Sequence, residues 1–287
     1  MEIDQVEISL LIKTLKNCGG YDFSNYSEKS FCRRVEKVLI DNKVDIYTLV
    51  NRLKFDRVFL EKVVRDITVN TTELFRDPQT WQAIRYRILP RLANKNEILI
   101  WHAGCSIGME VYSMEILLNE LGLLEKAKIY ATDLNTEVLE TARKGEYSYR
   151  YKDEYIDNFT KALVENPFNF EEKNEVNVDK YFDSNPAKDV FKVKPFLLNK
   201  TIFLKHDLVT QGNPFGVGYD LILCRNVLIY FNHDLQNKIF CDFWNYLNHN
   251  GSLVLGIHES ILGTMALRYE KKGLFYIKKP LDTINPK

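Results

Sequence analysis

The sequence predicts an α/β fold: a Rossmann-like cofactor sheet, a small helical N-terminal domain before it and a small antiparallel β-subdomain inserted within it. Three observations predict this. Residues 97–133 pass from a short apolar run through a two-glycine turn and an amphipathic stretch to a second apolar run ending in Asp133. That strand–turn–helix–strand–acid order suits a nucleotide-type cofactor, because glycines let backbone approach a ligand and the acid accepts bonds from ribose hydroxyls. The same α/β rhythm returns after residue 200. Between the two, residues 146–200 break it with aromatics (Tyr147, Tyr149, Tyr151, Tyr155, Phe159, Phe168, Phe170) set among charges and Asn.

Taken in order, residues 1–69 read as the helical domain. Ile3, Val6, Leu10, Leu11 and Leu15 recur at helical spacing, and Gly19-Gly20 stops that segment. Ser27 is expected to cap a second helix carrying Phe31, Val35 and Leu39 on one face, with shorter helices over 48–53 and 56–67. A polar crossing follows, with Asn70, Thr71, Thr72 and Arg76. Asp77-Pro78 then reads as a helix start, Asp capping and Pro at the first helical position. The domain from 70 to 287 holds the sheet. After Asp133, Asn135 caps a helix that ends at Gly145. Late in the insertion two candidate strands stand close together, 189–196 and 201–205. Residues 219–231 form an apolar strand that abruptly meets Arg225-Asn226, where strand carboxyl ends face ligand in open α/β sheets. Asn232 caps a long helix, 251–257 is a strand, and the chain closes on a hairpin over 266–278.

Composition bounds the function. The 287 residues are 45% hydrophobic, and 39 basic side chains balance 39 acidic ones. Zero net charge offers nothing toward nucleic acid or a membrane surface. The acidic N-terminus lacks the basic region of a secretory signal, and no apolar run approaches the ~20 residues that span a bilayer; a cytoplasmic location is expected. Five widely spaced cysteines without C-x-x-C, and five histidines without H-x-x-x-H, give no metal site. His102, in an apolar strand, reads as a satisfied core residue. The glycine spacing is G-x-x-x-G, and Asp133 falls 29 residues after Gly104. A nicotinamide fold has G-x-G-x-x-G and its acid after about 20, so that class is disfavoured, while an ordinary βαβ unit with a tight turn remains open.

Four motifs in order narrow the choice: N-T-T-E-L-F-R-D-P from 70, W-H-A-G-C-S-I-G-M-E-V-Y-S from 101, A-T-D-L-N-T-E-V-L from 131 and D-L-I-L-C-R-N-V-L-I-Y-F from 220. With G-Y-D-F-S-N-Y-S from 20, they make the chain resemble the chemotaxis receptor methyltransferases of the CheR family over nearly its whole length. The resemblance implies an S-adenosylmethionine-dependent protein-glutamate O-methyltransferase, with S-adenosylhomocysteine as product and the cytoplasmic domain of a methyl-accepting chemotaxis receptor as partner. A monomer without direct membrane insertion and without nucleic acid is expected. Carried over by position, the cofactor contacts fall on Asn70, Thr72, Arg76, Gly104, Gly108, Glu110, Asp133, Asp207, Leu208, Arg225 and Asn226, and the residues nearest the chemistry on Arg76 and Tyr230. No glycine lies between Glu172 and Lys205, so the receptor-tail tether of some relatives is not expected. Alternatives are a different protein acceptor and a module that binds the cofactor without catalysis. A nucleic-acid amino-methylase is disfavoured, because Cys224-Arg225-Asn226-Val227 lacks the proline pair such enzymes carry.

Overall fold

The computed structural model describes residues 3–68, 72–169, 171 and 174–280. Helices α1 (Gln5–Gly19), α2 (Glu28–Asn42), α3 (Ile46–Phe55) and α4 (Arg57–Ile67) pack around a core of their own that includes Leu11, Leu15, Val35, Leu49 and Val63. Asp4 and Glu7 close α1 with a reciprocal capping box, and Gly20, at φ 79°, ends it. Ser27 holds the cap position of α2 but makes no side-chain cap bond. The next helix, α5, starts at Pro78–Ala83 and continues through a π-type turn at Ile84–Ile88 to Leu89–Leu92.

The sheet then builds from its middle. Strand β1 (Ile98–Ala103) leads through α6 (Met109–Glu120) to β2 (Ala127–Asp133), and α7 (Thr136–Lys144) follows, capped by Asn135. Short strands β3 (Glu146–Ser148), β4 (Phe182–Asn185) and β5 (Val190–Val193) form a separate antiparallel sheet in the order β3-β5-β4, with helix α8 (Lys152–Phe159) between β3 and β4. Strands β6 (Thr201–Lys205), β7 (Tyr219–Cys224) and β8 (Leu247–Leu255) are parallel members of the large sheet, α9 (His233–Tyr246) lying between the last two. The hairpin β9 (Tyr269–Lys272) and β10 (Phe275–Lys278) adds antiparallel to β8 through β10. The large sheet runs β6-β2-β1-β7-β8-β10-β9.

One of the two neighbouring candidate strands is therefore reassigned. Val190–Val193 is the centre of the small sheet, whereas Thr201–Lys205 is an edge strand of the large one, Ile129 pairing with Thr201 and Asp133 with Lys205. A short apolar run looks the same whether it closes a hairpin or crosses to another sheet. What decides is partnership: Phe203 packs on the main core, and its carbonyl accepts a bond from Arg143 on α7.

Strand order reverses between β1 and β7. The chain moves outward through β2 and β6 on one side, then returns to lay β7 and β8 on the other. Open α/β sheets bind ligands outside strand carboxyl ends at such a reversal. The helical region reaches the same edge. Ser27 N donates to the Tyr230 carbonyl at 2.7 Å, Asn232 N to the Asn25 carbonyl at 2.9 Å, and Arg65 pairs with Glu137. No helix among the described residues is long and apolar enough to cross a membrane.

Candidate active site

A cleft of about 970 Å³, its open mouth included, lies over the carboxyl ends of β1, β2, β6 and β7. Ten of the expected site residues line it together: Thr72, Arg76, Gly104, Glu110, Asp133, Asp207, Leu208, Arg225, Asn226 and Tyr230. Asn70 lies outside the described residues. Gly108 does not line the cleft. At φ 89°, a Cβ there would stand 2.8 Å from the Ala142 Cβ, so its missing side chain serves the packing of α6 against α7.

The turn after β1 is shaped by backbone. Gly104 sits at φ 86°, where a Cβ would lie 2.5 Å from Val227 Cγ2, and its N–H donates to the Thr132 carbonyl at 2.8 Å. This brings the β1 and β7 turns into contact. Asp133, at the tip of β2, accepts from Ser106 N at 2.8 Å and Asn135 N at 3.0 Å. Burial raises its carboxyl above the usual range despite those bonds.

At the other end of the cleft the charges interlock. Glu110 Oε1 lies 2.8 Å from His102 Nδ1, and Glu110 Oε2 accepts from Arg225 Nη1 at 3.2 Å. Arg225 Nη2 donates to the Arg76 carbonyl at 2.7 Å and to Asp77 Oδ2 at 2.9 Å. Its guanidinium also lies over the Trp81 ring, and its side chain is 2% exposed. Burial pushes Glu110 up, but the His102 bond and the Arg225 charge outweigh it and hold the carboxyl below its ordinary value. Asp77 was expected to cap α5. Instead its backbone is left-handed, at φ 56°, its side chain makes no cap bond, and the carboxylate turns to Arg225. A buried guanidinium without an acid partner is costly, and this outweighs one cap bond.

The loop after β7 is held from behind by Glu259. Its carboxylate accepts from the backbone N–H groups of Asn226 (2.8 Å), Leu228 (2.7 Å), Ile229 (3.2 Å) and Gly256 (2.7 Å). Burial still leaves it above the usual carboxylate range. The clamp supports Asn226 in a left-handed conformation, at φ 61°, and carries the loop on to Tyr230. Arg76 and Tyr230 differ from Arg225: among the described residues, neither side chain has a hydrogen-bond or ion-pair partner, and both face the cleft. Three contributors lie outside the expected site residues: Asp77, expected only as a cap, His102, expected only as a core residue, and Glu259. An ionisable residue inside an apolar strand eight positions before Glu110 was the one local signal for the role of His102.

Comparison with known proteins identifies the whole. Residues 70–273 match the family described as CheR methyltransferase, SAM binding domain. The chain belongs to the CheR methyltransferase family. It is 37% identical to the Cher3 protein of Pseudomonas putida, over 89% of both chains. It is 32% identical to a chemotaxis protein methyltransferase of Borreliella burgdorferi, over 94% of this chain and 93% of that one, and 29% identical to one of Listeria monocytogenes, over 93% and 95%. This CheR methyltransferase is an S-adenosylmethionine-dependent enzyme. The cleft suits that cofactor: one end carries the acid at the tip of β2 beside Leu134 and Leu208, and the other carries Arg76, Glu110 and Arg225. A glycine turn with no room for a side chain lies on its wall.

Proposed function

We propose that this CheR methyltransferase methylates glutamate side-chain carboxylates in the cytoplasmic part of a chemotaxis receptor, forming methyl esters. The observation that carries this reading is that Arg76 and Tyr230 present polar ends, without a partner among the described residues, to the same cleft as the glycine turn. Asp133 would hold the ribose, Gly104 would let backbone approach, and Glu110 would orient the amino-acid half, with Thr72, Asp207, Leu208 and Asn226 completing the contacts. Arg225 would act in part through Glu110 and Asp77, which its Nη1 and Nη2 already bind.

When bound, S-adenosylmethionine supplies an electrophilic methyl group on a sulfonium. A glutamate with a reference pKa of about 4.3 is ionised at neutral pH, so the acceptor needs no general base. Arg76 would position the incoming carboxylate through its planar fork, and Tyr230 would donate a hydrogen bond that fixes the line of approach. Such positioning can supply roughly 7–11 kcal/mol of the barrier reduction. Incubating the protein and cofactor with receptor cytoplasmic fragments, followed by peptide mass spectrometry, tests the acceptor. Methyl esters on glutamate are expected; methylation confined to other side chains would refute the reading. Arg76→Ala should keep cofactor binding within an order of magnitude while losing most transfer.

A further inference from the structure

Tyr26 belongs to the helical region, yet it lines the cleft. Three contacts set it there. Its backbone forms an isolated antiparallel bridge with Phe231, the adjacent Ser27 N–H donates to the Tyr230 carbonyl at 2.7 Å, and its ring meets Phe231 edge-on at 4.9 Å between centroids. Phe23 and Phe31 back the ring from the helical side. Burial raises the phenol above its ordinary range, and the carboxylates of Asp207 and Asp133, which line the same cleft, add to the effect. Leu134 and Leu208 line the cleft as well, Leu134 packing with Tyr26 on the helical core and Leu208 with Tyr26 on the cluster that includes Phe231, while Arg225 is tied to Glu110 and Asp77. An aromatic and apolar wall beside a strand-tip acid suits a purine riboside; the charged end suits an amino acid.

We propose that Tyr26 contacts the adenosyl half of the cofactor, so that the helical region is itself part of the cofactor site. The proposal rests on placing the ribose beside Asp133. Helix α2 begins two residues after Tyr26, so ligand bound here also steadies the start of that helix.

Calorimetric titration with S-adenosylhomocysteine and with 5′-methylthioadenosine, which lacks the amino-acid half, tests it on wild type, Tyr26→Phe and Tyr26→Ala. Tyr26→Ala should weaken both ligands about tenfold or more, the scale of losing an aromatic contact to a base. Tyr26→Phe keeps the packing and should weaken both about 3- to 10-fold, the scale of one hydrogen bond. A loss confined to S-adenosylhomocysteine would overturn the proposal, because the effect would then travel through the Tyr230 loop to the charged end. Unchanged binding in both variants would also overturn it. Wild type that bound neither ligand would instead overturn the assignment of the cleft. Hydrogen exchange on wild type is a second readout that needs no variant: S-adenosylhomocysteine should slow the amides of residues 23–28, and unaltered exchange there counts against the contact.

Discussion

Two glutamates stand five residues apart on helix α6, and their surroundings drive them in opposite directions. Glu110 lies in the first turn, over the strand carboxyl ends, where His102 and Arg225 hold it ionised below its ordinary value. Glu115 is fully buried against the sheet. Its Oε1 accepts from Thr201 Oγ1 at 2.6 Å, and its Oε2 has no partner among the described residues. Burial lifts it from 4.5 to about 8, against the smaller pull of the Thr201 bond and Lys200. Desolvation acts on both; what differs is whether loops at the functional edge bring a cation within reach. Glu110 keeps its charge because it is paired with His102 and Arg225, whereas Glu115 is driven toward its neutral form.

The largest effect should come from breaking the charged end. Glu110→Gln leaves Arg225 and His102 without their shared carboxylate and should cost up to about 3 kcal/mol of stability, at the low end of the scale for breaking a buried ion pair because Asp77 still partners Arg225. Cofactor affinity should fall with it, and melting curves with and without S-adenosylhomocysteine measure both. A variant as stable as wild type would mean the interlock is not what holds this end together.

Glu115→Gln should do the reverse, in a pH-dependent way. A carboxyl whose folded pKa is raised contributes stability fully present below about pH 4.5 and lost as pH rises through about 8. Wild type and variant should therefore be near equal at pH 5. By pH 8–9 the variant should be the more stable, by a few kcal/mol at most, given ~1.4 kcal/mol per pKa unit. Urea unfolding at the two pH values checks the sign, and a gap that shrank with rising pH would contradict the neutral assignment.

Glu259 tests a carboxylate held by backbone alone. Glu259→Gln puts an amide donor against N–H groups and should cost about 1–3 kcal/mol through the 226–230 loop. Transfer should fall more than cofactor affinity, because Tyr230 is displaced while Asp133 is not; single-turnover rates beside binding titrations separate the two. The smallest change is Thr201→Val, which removes the one side-chain hydrogen bond to Glu115 among the described residues. It should destabilise by about 1 kcal/mol and raise the pH at which wild-type behaviour sets in.

Much of the architecture was legible locally. Apolar periodicity marked β1, β7 and α9, and Asn135 and Asn232 cap their helices as read. The four motifs pointed to the cleft, where eight of their expected site residues meet Asp207 and Leu208. Less legible was anything that needed a distant partner. Asp77 looked like a cap until Arg225, 148 positions away, claimed its carboxylate. Nor did the spacing show that the side-chain space beside Gly108 is filled by Ala142.

The sequence by itself determined the order of elements, the glycine turn, the acid at the end of β2 and the family, because backbone preference and side-chain period act over a few residues. Only the tertiary structure decided which carboxylates stay charged, that Glu259 clamps the loop after β7, and that Tyr26 of the helical region lines the cleft. Those outcomes depend on desolvation and on groups brought together by parallel strand order, and neither is written in the spacing of neighbouring residues.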